Sequence, residues 1–591
     1  WLTLPYLVWC GIFEHVAAAL HDPDARREDV AEASDTLLSA ARAAKVFTEP
    51  ALTALYKIVS LSPSSAPRLL QKITLPCDAT SFNYRLKVES VRMEVGETLG
   101  KKLGGNYLDL KALVQNLPRL QHVDLFFEKD GAPFRELDIP SRWKYSDELF
   151  SALEPLPNGD ADAGDKTNYT QLRSWTWSSR LAAESCKLEK LHEVHRTPPF
   201  STLRKITFIN YQLPSLNSRA KDPAEIMAMD EPVTKKMAAA IKALPRLEHL
   251  VLQSSTVANA ALLELLPKNL KQLELINCWD VESEHLTAFL ITHGHSLERL
   301  TLNHCQSLSL GFLPVLGSAC PNLTHLNMDL QYFRHHEYYD DSEPNYETLL
   351  NKDQVPVWPS TIQCIDIQHL HHWDIDAASM FFQSLEDSAL RMPNLRRLAL
   401  KATLNVPFRQ RAEFREYWVE RMSYIFQRPN SDPKPVLRAK APVVSPQRDG
   451  RSSVSGGNAK TWKFSTTPAR RSTRIADLTL SPVSPHEEDV IVSGREHART
   501  RQLAKEAKHL RLRTTRRGNE ADDEDSGDEL AATPLSNDSD NEPVHRQLLC
   551  NLVDVQIDNQ KPTERRYGME DFLDSPNASD DEWNGRDDPD I

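Results

Sequence analysis

The chain has 591 residues, 40% hydrophobic and 26% charged with a net formal charge of −13, which is ordinary for a soluble globular protein. Only 19 glycines stand against 38 prolines, which argues against an enzyme built on phosphate-cradling glycine loops. Residues 1–400 hold 40 basic and 50 acidic side chains, 401–518 hold 25 and 11, and 519–591 hold 5 and 22, the profile of a mildly acidic body with a polyampholyte tail.

The opening segment WLTLPYLVWCGIFEHVAAAL is mostly apolar and about as long as a membrane span. Pro5, Glu14 and His15 interrupt it and no basic segment precedes it, so neither a span nor a signal is expected. Starting at Trp1 rather than Met, the sequence reads as a piece of a longer protein. Leu4, Leu7, Ile12, Phe13, Val16 and Leu20 recur at helical steps, with Pro5 where a first turn tolerates it. A polar link from His21 to Glu32 is expected next. A second helix then carries Leu37, Leu38, Ala41 and Ala44 on one face, and a third carries Phe47, Leu52, Leu55 and Tyr56, with Pro50 in its first turn. Three short helices over residues 1–58 make a marginal core, and such a unit gains by packing against a partner.

The pattern LP…IF followed by an alanine-rich helix and VF…ALTALY resembles an F-box. The resemblance implies docking on a Skp-type adaptor and, through it, on the core of a cullin–RING ubiquitin ligase. It implies that Leu4, Pro5, Ile12, Phe13 and Val16, with Phe47, contact the adaptor or support that surface. Tyr6 and Leu7 depart from the pattern, standing where many members carry an acidic residue, and the first link is long. A plain helical cap on the next domain is the alternative reading.

Residues 64–405 repeat themselves. The frame LxxLxL, with aliphatic or aromatic substitutes, occurs at Leu120-Val123-Leu125, Leu203-Ile206-Phe208, Leu247-Leu250-Leu252, Leu270-Leu273-Leu275 and Leu297-Leu300-Leu302. It recurs at Leu323-Leu326-Met328, Ile362-Ile365-Ile367 and Leu395-Leu398-Leu400, with weaker copies at Val88-Val91-Met93 and Leu172-Trp175-Trp177. From 247 onward the copies are spaced by 23, 27, 26, 39 and 33 residues, the first three inside the window of leucine-rich repeats. Each alternation predicts a short strand whose inward side chains fill a core shared with neighbouring repeats. Asn277-Cys278 and Asn303-His304-Cys305 fall just after a strand, where a small polar or thiol group can bond the turning backbone. A proline precedes several strands (LPRL at 117 and 244, CPNL at 320, MPNL at 392) and stops the preceding helix. These repeats resemble the cysteine-containing leucine-rich repeats of F-box proteins. The resemblance implies an α/β fold in which the three-helix motif leads into a horseshoe of parallel strands and helices and then a long disordered tail. About ten strands at ~4.8 Å give an inner edge of roughly 50 Å, a surface for a protein rather than a pocket for a metabolite.

Candidate chemistry is thin. No GxSxG, HExxH, Walker or DFG-type motif occurs, and the eight cysteines form no CxxC pair and read as reduced thiols. His369, His371, His372 and Asp374 in HLHHWD have ligand chemistry but directly follow a strand frame, where loop histidines are common, so no metal site is expected. RHHEYYDDSEP, with its histidines and tyrosines, is either a partner-contact insert or a solvated loop. No catalytic residue and no cofactor are expected.

Residues 406–428 predict a helix with Phe408, Phe414, Trp418, Met422 and Ile425 at helical steps, capping the last repeat. Residues 429–545 read as disordered, basic then acidic, and 575–591 as an acidic disordered end. Ser/Thr-Pro pairs at 445, 467, 481, 484, 533 and 575 are candidates for proline-directed phosphorylation. HARTRQLAKEAKHLRLRTTRR (497–517) is a nuclear-import patch or pairs with the acidic run behind it; nucleic acid is not an expected partner. Residues 546–574 read as an interaction motif: 552–557 alternate with period two and are expected to be extended, paired with an edge of the repeat sheet or with another protein, ahead of Tyr567, Met569, Phe572 and Leu573. The expected function is a non-enzymatic substrate receptor of a cullin–RING ligase in the nucleus or cytoplasm, with a protein target and no membrane partner. The alternative is a repeat scaffold or nuclear assembly protein outside ubiquitin transfer.

Overall fold

The computed structural model describes residues 4–21, 25–75, 82–102, 107–130, 141–154, 170–183, 187–220, 222–332, 343–404, 406–429 and 546–558. The chain divides into two units, residues 430–540 and the remainder, and every described residue belongs to the second of these. The expectations on 1–3, on the insert at 333–342, on the tail at 430–545 and on 566–574 lie outside the described residues.

The first four helices are α1 (Tyr6–Val16), α2 (Ala18–His21), α3 (Arg27–Ala43) and α4 (Lys45–Lys57). The polar link expected over His21 to Glu32 is shorter than that, because α3 already begins at Arg27. Glu28 and Asp29 in its first turn and Arg42 in its last complement the helix dipole, so these charges favour helix over loop. A single extended residue, Ala44 (φ −151°, ψ 141°), breaks the chain between α3 and α4. Helix α4 starts at Lys45, which places Pro50 inside it rather than in its first turn. Trp9, Phe13, Ala17, Leu37, Ala51 and Ala54 form the small core of this unit. Phe47 closes it, its ring 4.6 Å from Trp9 and edge-on to Phe13 at 5.7 Å.

Helix α4 runs without a loop into the first strand of a twelve-stranded sheet. The strands are β1 (Ile58–Leu61), β2 (Ser90–Glu94), β3 (His122–Phe126), β4 (Ser174–Ser178), β5 (Lys205–Ile209) and β6 (His249–Gln253), then β7 (Gln272–Ile276), β8 (Arg299–Asn303), β9 (His325–Asp329), β10 (Cys364–Leu370), β11 (Arg397–Thr403) and β12 (Leu552–Asp558). Their order in the sheet is their order in the chain. Every neighbouring pair is parallel, the arrangement of a solenoid. The connecting helices are α5 (Ser65–Thr74), α6 (Val95–Thr98), α7 (Leu110–Gln115), α8 (Asp147–Leu153), α9 (Leu188–Val194) and α10 (Pro223–Lys242). They continue as α11 (Ala260–Glu264), α12 (Ser283–His293), α13 (Leu313–Ala319), α14 (Ile375–Asp387) and α15 (Phe408–Phe426).

The last two positions of all ten LxxLxL frames, the weak copies included, lie on strands β2 to β11, with the first position just before each strand, and β1 and β12 extend the sheet at its two ends. The register stacks like on like. Leu250, Leu273, Leu300 and Leu326 are aligned across β6 to β9 and fully buried, as are Leu252, Leu275 and Leu302 one step on. Beyond each of several strands the chain turns through a residue with positive φ: Asn210, Ser254, Asn277 and His304 at 50° to 68°, a region asparagine tolerates better than most. The thiol that follows reaches back one repeat. Cys278 Sγ donates to the Leu252 carbonyl at 3.3 Å and Cys305 Sγ to that of Leu275 at 3.4 Å. Burial pushes the Cys305 thiol up to about 12, so it stays protonated and able to donate.

Helix α15 packs Phe414, Trp418, Met422 and Ile425 inward, with Trp418 stacked 5.4 Å from Phe382 of α14. It does not end the solenoid as the capping expectation had it: β12 lies beyond it, paired to β11 across seven residues.

Two polar pairs sit in the N-terminal half of the core. Asp130 and Arg180 are joined at 2.6 Å with side chains 5% and 7% exposed, and Ser178 Oγ donates to the same carboxylate at 2.6 Å. Among stacked aromatic rings, His195 is fully buried. It accepts from Trp177 Nε1 at 2.9 Å through Nε2, which leaves Nδ1–H to donate to the Ala240 carbonyl at 2.6 Å. Burial drives its imidazole down to about 4. A buried neutral histidine that titrates near its ordinary value once unfolded supports the fold fully above pH 6.5 and loses that support as pH falls from 6.5 to 4, by roughly 3 kcal/mol in all. Urea midpoints measured across this window should fall with acid, and more shallowly in His195→Gln. Equal slopes in the two proteins would rule out His195 as the cause.

Candidate protein-docking surfaces

Helix α1 is apolar on two sides. Trp9, Phe13 and Ala17, at four-residue steps, face the bundle core. Val8 and Ile12, also four residues apart, face solvent at 43% and 40% exposed, with Tyr6 at 42% and Leu7 at 78% beside them and Leu4, just ahead of the helix, at 40%. A methyl group built on Gly11 would meet nothing within 4 Å. An exposed apolar helix face opposite a buried one is the mark of a surface that a partner covers. The six residues expected at the adaptor surface therefore divide. Phe13 is core, Val16 and Phe47 are half-buried supports against it, and Pro5, Leu4 and Ile12 are exposed. Leu7, Val8 and Tyr6 join the exposed set.

The small unit is held on the sheet end. Besides the α4–β1 continuity, Lys87 reaches Glu49 of α4 at 2.8 Å, while Lys57 bonds Glu14 of α1 at 2.6 Å. Tyr56 of α4 meets Tyr84 edge-on at 4.8 Å, and Lys72 of α5 lies 5.1 Å over the Tyr84 ring.

The outward face of the sheet is a second surface. One register row carries His122, Lys205, His249, Arg299, His325 and Arg397, and the next carries Asp124, Glu274, Asp366 and Asp554. Neighbouring strands pair within a row, Arg92 with Asp124 at 3.3 Å, and across the rows, His249 with Glu274 at 2.7 Å and Arg397 with Asp366 at 2.8 Å. Desolvation and then the Arg299 charge hold His325 below its ordinary value. Such a face of alternating, partly exposed charge suits complementary contact with a protein surface.

The HLHHWD histidines are taken up one by one. His369 Nδ1 meets Asp329 Oδ1 at 2.8 Å, His371 Nδ1 donates to the His369 carbonyl at 2.5 Å, and His372 Nε2 lies 3.0 Å from Glu343. Asp374 caps α14 through Ala377 N–H at 2.7 Å. Among the described residues no group of three or more His, Cys, Asp or Glu converges on a metal position, and no helix is long and apolar enough to cross a membrane.

No family model matches the chain, and no curated protein matches it. Among solved structures, a chain of the crystal structure of the Rad7 and Elc1 complex in yeast is similar over 40% of this chain and 57% of its own length, at 14% identity and a TM-score of 0.24. The chain thus spans little more than half of that neighbour.

Proposed function

We propose that this chain is a recognition subunit of a cullin–RING ubiquitin ligase, docking a Skp-type adaptor through the outer face of α1 and holding a target protein on the outward face of the sheet. The observation that carries the reading is the exposed apolar set of Leu7, Val8 and Ile12 on α1, with Leu4 just ahead of it, on a helix whose other face already has its core. The F-box-like sequence of that unit supplies the identity of the partner. The contribution to ubiquitin transfer is positional: the target is brought near the conjugating enzyme, and its effective concentration there does the work. No residue of this chain forms a covalent intermediate. Affinity purification of the full chain with a Skp-type adaptor tests the reading. A well-folded chain that captures no adaptor would leave it as a scaffold outside ubiquitin transfer.

A further inference from the structure

Among the described elements, β12 stands farthest in sequence from the element before it: α15 ends at Phe426 and β12 begins at Leu552. The residues after α15 and those before β12 are pinned together. Arg428 N–H donates to the Cys550 carbonyl and Cys550 N–H to the Phe426 carbonyl, both at 2.9 Å. The returning segment is read by its side chains as well. The Gln547 amide donates to the carbonyls of Met392 and Leu395 at 2.7 and 3.3 Å. The fully buried Cys550 thiol donates to Leu395 at 3.6 Å. Seven residues then pair with β11, from Arg397–Leu552 to Thr403–Asp558. Val555 and Ile557 sink into the core while Leu552, Asp554 and Gln556 stay outside.

These are the components of strand addition, in which main-chain bonds give affinity and alternate side chains in pockets give specificity. We infer that the edge of β11, with the C-terminal turn of α15, is a recognition site for an extended segment, and that the chain's own residues 546–558 occupy it as a tethered ligand. The inference is independent of the ligase reading. Residues 546–558 belong to the same chain as β11, so they meet its edge at an effective concentration that a separate peptide must exceed. The intact chain therefore holds this segment against rivals in solution, and a cut between it and the body turns β12 into a ligand that can exchange.

The test is a protease site placed between residues 450 and 460 of the full chain. After cutting, the piece carrying 546–558 should co-elute with the body and exchange with a fluorescent peptide of residues 546–558. The same peptide with Val555→Asp and Ile557→Asp should bind at least tenfold more weakly, and the uncut protein should take up at least a hundredfold less of the unmodified peptide. Pieces that separate on cutting would overturn the inference. So would pieces that stay together but refuse peptide overnight, since β12 would then be an integral repeat. Equal binding of the charged peptide would overturn it as well, by removing the pockets.

Discussion

Replacing Leu7 and Val8 together with aspartate will abolish capture of a Skp-type adaptor, by at least a hundredfold in affinity, and leave the sheet body as stable as before. Both side chains point away from the bundle core, and Leu7 is the most exposed large apolar residue of the molecule among those described. They lie in the first turn of α1, where carboxylates complement the helix dipole, so the substitution does not threaten the helix. At a docked interface the same two carboxylates would be desolvated without partners, at a cost of several kcal/mol. Phe13→Asp is the wrong probe, because Phe13 belongs to the core and its loss unfolds the unit. Ile291→Asp, at a 62% exposed apolar position on α12, serves as the control that should leave capture unchanged. Undiminished capture by the Leu7, Val8 variant would place the adaptor elsewhere or remove it.

Leu273→Ala and Leu300→Ala should each cost about 2–5 kcal/mol of unfolding free energy. The two side chains are aligned on β7 and β8 and fully buried between Leu250 and Leu326. In a solenoid each repeat contacts chiefly its neighbours, so the cavity weakens both interfaces of the affected strand. Glu274, one residue on, points to the outward face and pairs with a partly exposed histidine, so Glu274→Ala should cost far less. Urea midpoints at unchanged slope measure both. A leucine variant within half a kcal/mol of the parent would contradict the register.

The strands of the sheet were legible because two signals coincide in them. Leu250, Leu273 and Leu300 carry the period of two that makes a strand, and their frames recur at the interval that stacks one repeat on the next. Strand β1 was not legible: Ile58 and Val59 continue the apolar run of α4, and four residues leave no room for an alternation to show. The period of two in β12 was readable and the edge of the repeat sheet was one of its two expected partners, but the choice between them was not, since nothing in the sequence couples Leu552 to Arg397. The division of α1 into core and surface was hidden for a related reason. Periodicity separates faces only when one is polar, and Leu4, Val8 and Ile12 are as apolar as Trp9 and Phe13. Nor could the sequence announce Asp130 with Arg180, 50 positions apart, or Trp177 with His195; their pairing follows from which repeats stack.

A sheet whose strands all run parallel in chain order has two unlike ends, and this bears on how copies of the molecule can meet. Contact of the outer edge of β12 in one copy with β1 in another would be head-to-tail, would not close on itself, and would grow as a filament. Among the described residues nothing pairs with that outer edge. What it carries instead is charge: Asp554 is exposed, Asp558 ends the strand 3.9 Å from Arg415, and Gln556 stands between them. An incoming β1, which is Ile58-Val59-Ser60-Leu61 and has no cation, would desolvate these carboxylates without a partner, so the strand that completes the core also disfavours growth of the sheet.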